Sequence, residues 1–155
     1  MPDDLYHRDF VAWSRLQADR LRRLAAGERV NDLDWANLIE EVEDLGKSET
    51  KAVESLLAQA LIHAMKLAAW PMHPAGGHWR GEIRTFLNSA RRRFSPSMGQ
   101  LIDLAGLHAD ALDTVRATSL EMPPLPLRDG TDLTLAELLD RDLPTDALVA
   151  RLRRS

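Results

Sequence analysis

The stretch from Leu33 to Leu67 carries its apolar side chains at one helical period, and a helix of that length restricts what the chain can fold into. At ~100° per residue, Trp35, Leu38, Ile39, Val42, Leu45, Val53, Leu56, Leu57, Ala60 and Ala64 fall on one stripe. Unbroken, such a helix is roughly 50 Å long at about 1.5 Å per residue. Its stripe is covered most simply by other helices laid alongside, which points to an all-α bundle. One residue does not fit. Glu49 lies near the middle of the stripe with Gly46 beside it. A carboxylate on a core face needs a partner or a proton, because burying it alone is costly. Glu49 is therefore the first candidate for chemistry.

Flanking signals set the remaining elements. A first helix is expected over 9–26, with Phe10, Trp13, Leu16, Leu24 and the offset pair Val11 and Leu21 on its broad apolar side and Gly27 as the stop. Asp34 is placed to cap the long helix, which should end before Pro71. A third helix is expected over 78–94, with Trp79, Ile83, Phe86, Leu87, Ala90 and Phe94 as its stripe. Ser97 is read as the N-cap of a fourth helix reaching Leu120, with His108 near the centre of its apolar side. After the proline-rich link 122–126, two short helices are expected over 134–141 and 144–153. Residues 1–155 are thus expected to form a single domain: four main helices plus a short C-terminal appendage over 122–155.

Composition agrees. At 155 residues the chain has the size of one domain, and 45% hydrophobic with 28% charged residues is ordinary for a soluble protein. Leu and Ala dominate over β-branched residues, which favours helix. Without cysteine, disulfides, thiolate catalysis and Cys-ligated zinc are excluded. The acidic start MPDDLYHRDF has no apolar core of a secretory signal, and the apolar run 56–70 is broken by Gln59, His63 and Lys66. A cytoplasmic protein without a membrane segment is expected. The net charge of −4 argues against a general nucleic-acid binder, although arginines cluster at 20–23, 91–93 and 151–154.

Several runs resemble a known family. Leu33-Asp-Trp-Ala-Asn-Leu-Ile-Glu-Glu-Val-Glu-Asp-Leu-Gly46-Lys-Ser-Glu49 is similar to the signature of domain of unknown function 29, a group of uncharacterised bacterial proteins. The pattern Tyr6-His-Arg-Asp9-Phe10-Val-Ala-Trp13 followed by Gln17-Ala18 resembles the same family. So do His63-Ala-Met-Lys66, Trp79 with Ile83, Ser95-Pro96-Ser97 and the segment 138–144. The resemblance spans nearly the whole chain and implies a compact α-helical domain, with no activity attached. Leu67 stands where the pattern suggests an aromatic residue, and His108 where it suggests a tyrosine.

The candidate site residues are few. Glu49, His63 and His108 each lie on or near an apolar face, and a Glu facing a His inside a bundle can hold a divalent metal. Glu49 and His63 stand ~21 Å apart on a straight helix, so only a bend would unite them. The Glu-x-x-His and His-Glu-x-x-His spacings are absent. The plainer reading is a Glu49 paired with an arginine or a tryptophan N–H, and histidines bonded inside the core. Of the acidic run, Glu41 is nearest the apolar edge and best placed to bond to another helix. Arg84 and Arg91 share a flank from which they can answer Glu49 or Glu41. His73 and His78 bracket a glycine turn leading to Trp79, an exposed edge on which His78 can cap the third helix.

No cofactor is expected beyond that conceivable divalent metal. Without a catalytic motif, the reading favours an accessory or regulatory protein that binds a protein partner or a second copy of itself, with the segment after Met122 as a docking arm. Its rivals are a metal-dependent site in the bundle interior and phosphate contacts through the arginines.

Overall fold

A computed structural model describes residues 4–155. They form seven α-helices and one 3-10 turn, with no strand among the described residues. The helices are α1 (Leu5–Arg8), α2 (Phe10–Ala25), α3 (Trp35–Ala69), α4 (Gly76–Arg93), α5 (Leu104–Arg116), α6 (Leu135–Leu138) and α7 (Thr145–Leu152). The described residues are all-α, and α2 to α5 are the four longest helices. The chain divides into two compact units, one ending at Lys47 and one from Ser48 to Ser155.

In the first unit, Asp9 caps α2 by accepting from the Ala12 N–H at 3.0 Å. Past the end of α2, Gly27 takes a φ of 89°, a left-handed conformation that glycine enters without strain. Asp34 then ties the hairpin of α2 and early α3. Its carboxylate accepts from Trp13 Nε1 at 2.9 Å and from Asn37 Nδ2 at 2.8 Å, while its own N–H donates to Gln17 Oε1 at 2.9 Å. Gln17 is buried and satisfied by this bond, as a buried amide must be.

The second unit holds the hydrophobic core. Val53, Leu57, Leu61 and Met65 of α3 pack in one cluster with Ile83 and Leu87 of α4, Leu112 and Val115 of α5, and Leu138, Leu148 and Leu152 of the C-terminal helices. By length and hydropathy α3 is apolar enough to cross a membrane, but half of the stretch that qualifies is buried inside this protein, as in a core helix. The C-terminal segment is part of the core and not a free docking arm. The Ala69 carbonyl, orphaned at the end of α3, accepts from the Leu125 N–H at 2.8 Å, and the Ala68 carbonyl accepts from Arg153 Nε at 3.1 Å. An antiparallel bridge joins Leu127 to Arg153.

Two expected elements differ. Ser97 does not cap a helix: 96–100 form the 3-10 turn, and α5 begins seven residues later, capped by Asp103 accepting from the Gly106 N–H at 3.1 Å. A carboxylate is the better acceptor there. The short helix α1 was not foreseen, since four residues are too few to display a period.

Candidate functional site

Glu49 is on the surface. Its side chain is 54% exposed and pairs with Arg93 at 3.1 Å, so the buried carboxylate inferred from the stripe does not exist. The reason is that the apolar period continues through a part of α3 whose outward side no described residue covers. Arg84 and Arg91 do not answer it. Arg84 donates to the Leu143 carbonyl at 3.3 Å. Arg91 donates to the carbonyls of Leu139 at 2.7 Å and Asp140 at 3.0 Å, and to Asn88 Oδ1 at 2.7 Å. Both arginines thereby fasten the segment around α6 to α4. Burial, with Arg84 and Arg141 nearby, lowers the pKa of Arg91.

The two histidines take separate structural places. His63 is half-buried, its ring 5.5 Å from that of Phe86, and its Nδ1–H donates to the Gln59 carbonyl at 2.7 Å. His108 is 1% exposed, and its Nε2 has no hydrogen-bond partner. Burial, followed by the charges of Arg128 and Arg116, pushes its pKa down and keeps it neutral. Among the described residues, no three His, Asp or Glu side chains stand close enough to share a metal. Glu49, His63 and His108 are therefore not brought together.

At the glycine turn, His73 stacks on the buried Trp79 with ring centroids 4.9 Å apart, and its Nδ1 accepts from the Ala75 N–H at 3.0 Å. His73 thus braces the turn just before α4; among the described residues no side chain caps that helix, and His78 does not take the capping part expected of it. His78 lies inside α4, 71% exposed and 4.0 Å from Glu82. The arginine clusters are largely spent on carboxylates: Arg20 with Asp32 at 2.8 Å, Arg23 with Glu28 at 2.8 Å, Arg151 with Glu137 at 2.6 Å, and Arg154 with Asp129.

What the structure does present is an apolar face on the α2–α3 hairpin of the first unit. Glu41 lies within it, between Leu38 and Leu45 of α3: Tyr6 donates its hydroxyl hydrogen to the Glu41 carboxylate at 2.5 Å, and the Tyr6 ring stands edge-on to Trp13 at 4.9 Å. That bond, with burial and the neighbouring carboxylates, raises the tyrosine's pKa to about 12. Beside it runs a groove of about 220 Å³ lined by Phe10, Trp13, Leu21, Leu38, Val42 and Leu45. Val42 is 67% and Leu45 69% exposed, and Trp35 and Ile39 extend the same side of α3. The sequence reading placed these residues on apolar stripes but took the stripes for core.

The family profile described as domain of unknown function DUF29 matches residues 5–143. The chain belongs to this family. Comparison with curated proteins gives no match. A solved structure, an alpha-helical protein of unknown function from Rhodospirillum rubrum, is similar at 31% identity and a TM-score of 0.73, covering 96% of this chain and 98% of that one. Both comparisons agree with an uncharacterised all-helical DUF29 protein.

Proposed function

We propose that this DUF29 protein is an interaction module of accessory or regulatory type, which binds a protein through the apolar face of its α2–α3 hairpin. One observation carries the reading. Of the thirteen exposed large hydrophobic residues among those described, nine lie between Phe10 and Leu45. Among the described residues of the same unit, only Trp13, Gln17 and Leu33 are buried. Scattered exposed leucines are normal, but a contiguous apolar patch of more than a few hundred Å² marks a contact surface. The absence of a shared ligand set among the described residues leaves the metal-site reading without comparable support, and internally paired arginines leave the phosphate reading likewise.

The test is a photo-crosslinking side chain placed at Val42 in living cells, with the exposed Asp110 as control position. The reading expects discrete protein adducts at Val42 and none at Asp110. A Val42 probe that labels no more than the Asp110 probe overturns it.

A further inference from the structure

We infer that the occupant of this face is a second copy of the same chain, paired two-fold so that α2 of each copy lies across α3 of the other. This rests on the interaction reading above and names its partner. Three features of the hairpin lead to it.

The first is its poverty of core. The unit ending at Lys47 buries three residues among those described while leaving nine large hydrophobics exposed. Units near this size ordinarily need oligomerisation or another staple to bury enough surface. The second is area. Side chains such as Phe10, Leu21, Trp35, Ile39, Val42 and Leu45, each at least about a third exposed, offer apolar surface of several hundred Å². One side of a standard interface needs about 800 Å², and pairing two hairpins would make a four-helix arrangement with an apolar interior.

The third is charge. Within α2 stand Arg15, Arg20, Arg22 and Arg23 against Asp19. From Trp35 to Lys47, α3 carries Glu40, Glu41, Glu43 and Asp44 against Lys47. The two helices are thus +3 and −3. Arg20, Arg23, Glu41 and Asp44 already have partners in the chain. Arg15, Arg22, Glu40 and Glu43 are exposed and make no ion pair among the described residues. At ~100° per residue Arg15 and Arg22 border the face beyond Val11, and Glu43 and Glu40 border it beyond Ile39. Laying α2 across the partner's α3 sets free arginines opposite free carboxylates on both edges. Laying α2 on α2 would set like against like, which an interface avoids. A two-fold pair makes each favourable contact twice.

Sedimentation equilibrium of the full chain tests this. The wild type is expected at twice the 17.4 kDa of one chain. Val42→Glu, at an exposed position, should keep the helical circular dichroism of the wild type and raise the dimer Kd at least tenfold. Glu40→Lys with Glu43→Lys should weaken self-association, as should Arg15→Glu with Arg22→Glu in a separate chain, and mixing the two variants should restore a dimer. A wild type of one-chain mass at tens of micromolar overturns the inference, as does a dimer indifferent to Val42→Glu. An acidic–basic mixture that fails to pair overturns the α2-on-α3 arrangement. A monomer whose Val42 probe still labels another protein sinks the second copy and spares the interaction reading. A monomer whose probe labels nothing sinks both.

Discussion

Tyr6 and Glu41, thirty-five positions apart, share one hydrogen bond of 2.5 Å that joins α1 to the acidic half of α3. Tyr6 is the single tyrosine of the chain, so an ultraviolet titration reads it without overlap. Its ionisation should centre near pH 12, above the ordinary 10.0, because the neutral phenol donates to the carboxylate. The folded chain holds this proton more tightly than the unfolded one. The associated stabilisation is therefore whole below about pH 10 and disappears as pH rises through about 12. Glu41→Gln should bring the midpoint back toward 10. An unshifted midpoint in the wild type would show that the bond does not hold in solution.

Glu49→Leu and Glu49→Gln should behave alike. The pair with Arg93 is half-exposed on both sides, and exposed pairs contribute about 0–1 kcal/mol. Thermal or urea unfolding should place both variants within about 1 kcal/mol of the wild type. A loss of ~3–5 kcal/mol in Glu49→Leu, the cost of stranding a buried charge, would contradict the exposed geometry.

His108 predicts an acid dependence. Burial lowers its pKa below 6.5, so the unfolded chain takes up the proton first as pH falls. Stability from the neutral buried ring is whole above pH 6.5 and declines from there down to the folded-state pKa. His108→Leu removes both the titration and the unpartnered Nε2, and near-isosteric apolar replacement costs under about 1.5 kcal/mol. Urea midpoints measured from pH 7 to 5 should fall less steeply in the variant than in the wild type. Equal slopes would remove His108 as the cause.

Leu138 belongs to a four-residue helix yet is 0% exposed. Leu138→Ala should cost about 2–5 kcal/mol, as for any fully packed core leucine. Chemical denaturation of that variant separates an integral C-terminal segment from a detachable arm, which would lose under about 0.5 kcal/mol.

Much of the helix plan was legible because the chain punctuates it. Gly27, Asp34 and Pro71 set the ends of the first two main helices within one or two residues, and Thr134 with Glu137 forms a capping box at α6. The site was not legible, for a reason that Val42 and Val53 make plain. They are eleven residues apart, ~20° of rotation on one helix, and the period treats them as equivalent. Val53 is 0% exposed and Val42 67%. Periodicity tells which side of a helix is apolar; what lies against that side depends on residues far along the chain. Glu49 misled for the same reason, while His108, on an equally apolar side, is buried because the second unit encloses it.

Arg153 donates to the Ala68 carbonyl across eighty-five positions, and Arg154 N–H to the Pro126 carbonyl at 3.0 Å. Arg153 leaves the ribosome eighty-five residues after the Ala68 whose carbonyl it caps. Until it emerges, the later half of α3 has been synthesised and its apolar side is still unsealed. A nascent chain paused before Pro126 is accordingly a species with greasy helices and no lid. It is there, and not in the finished molecule, that chaperones have the most to hold.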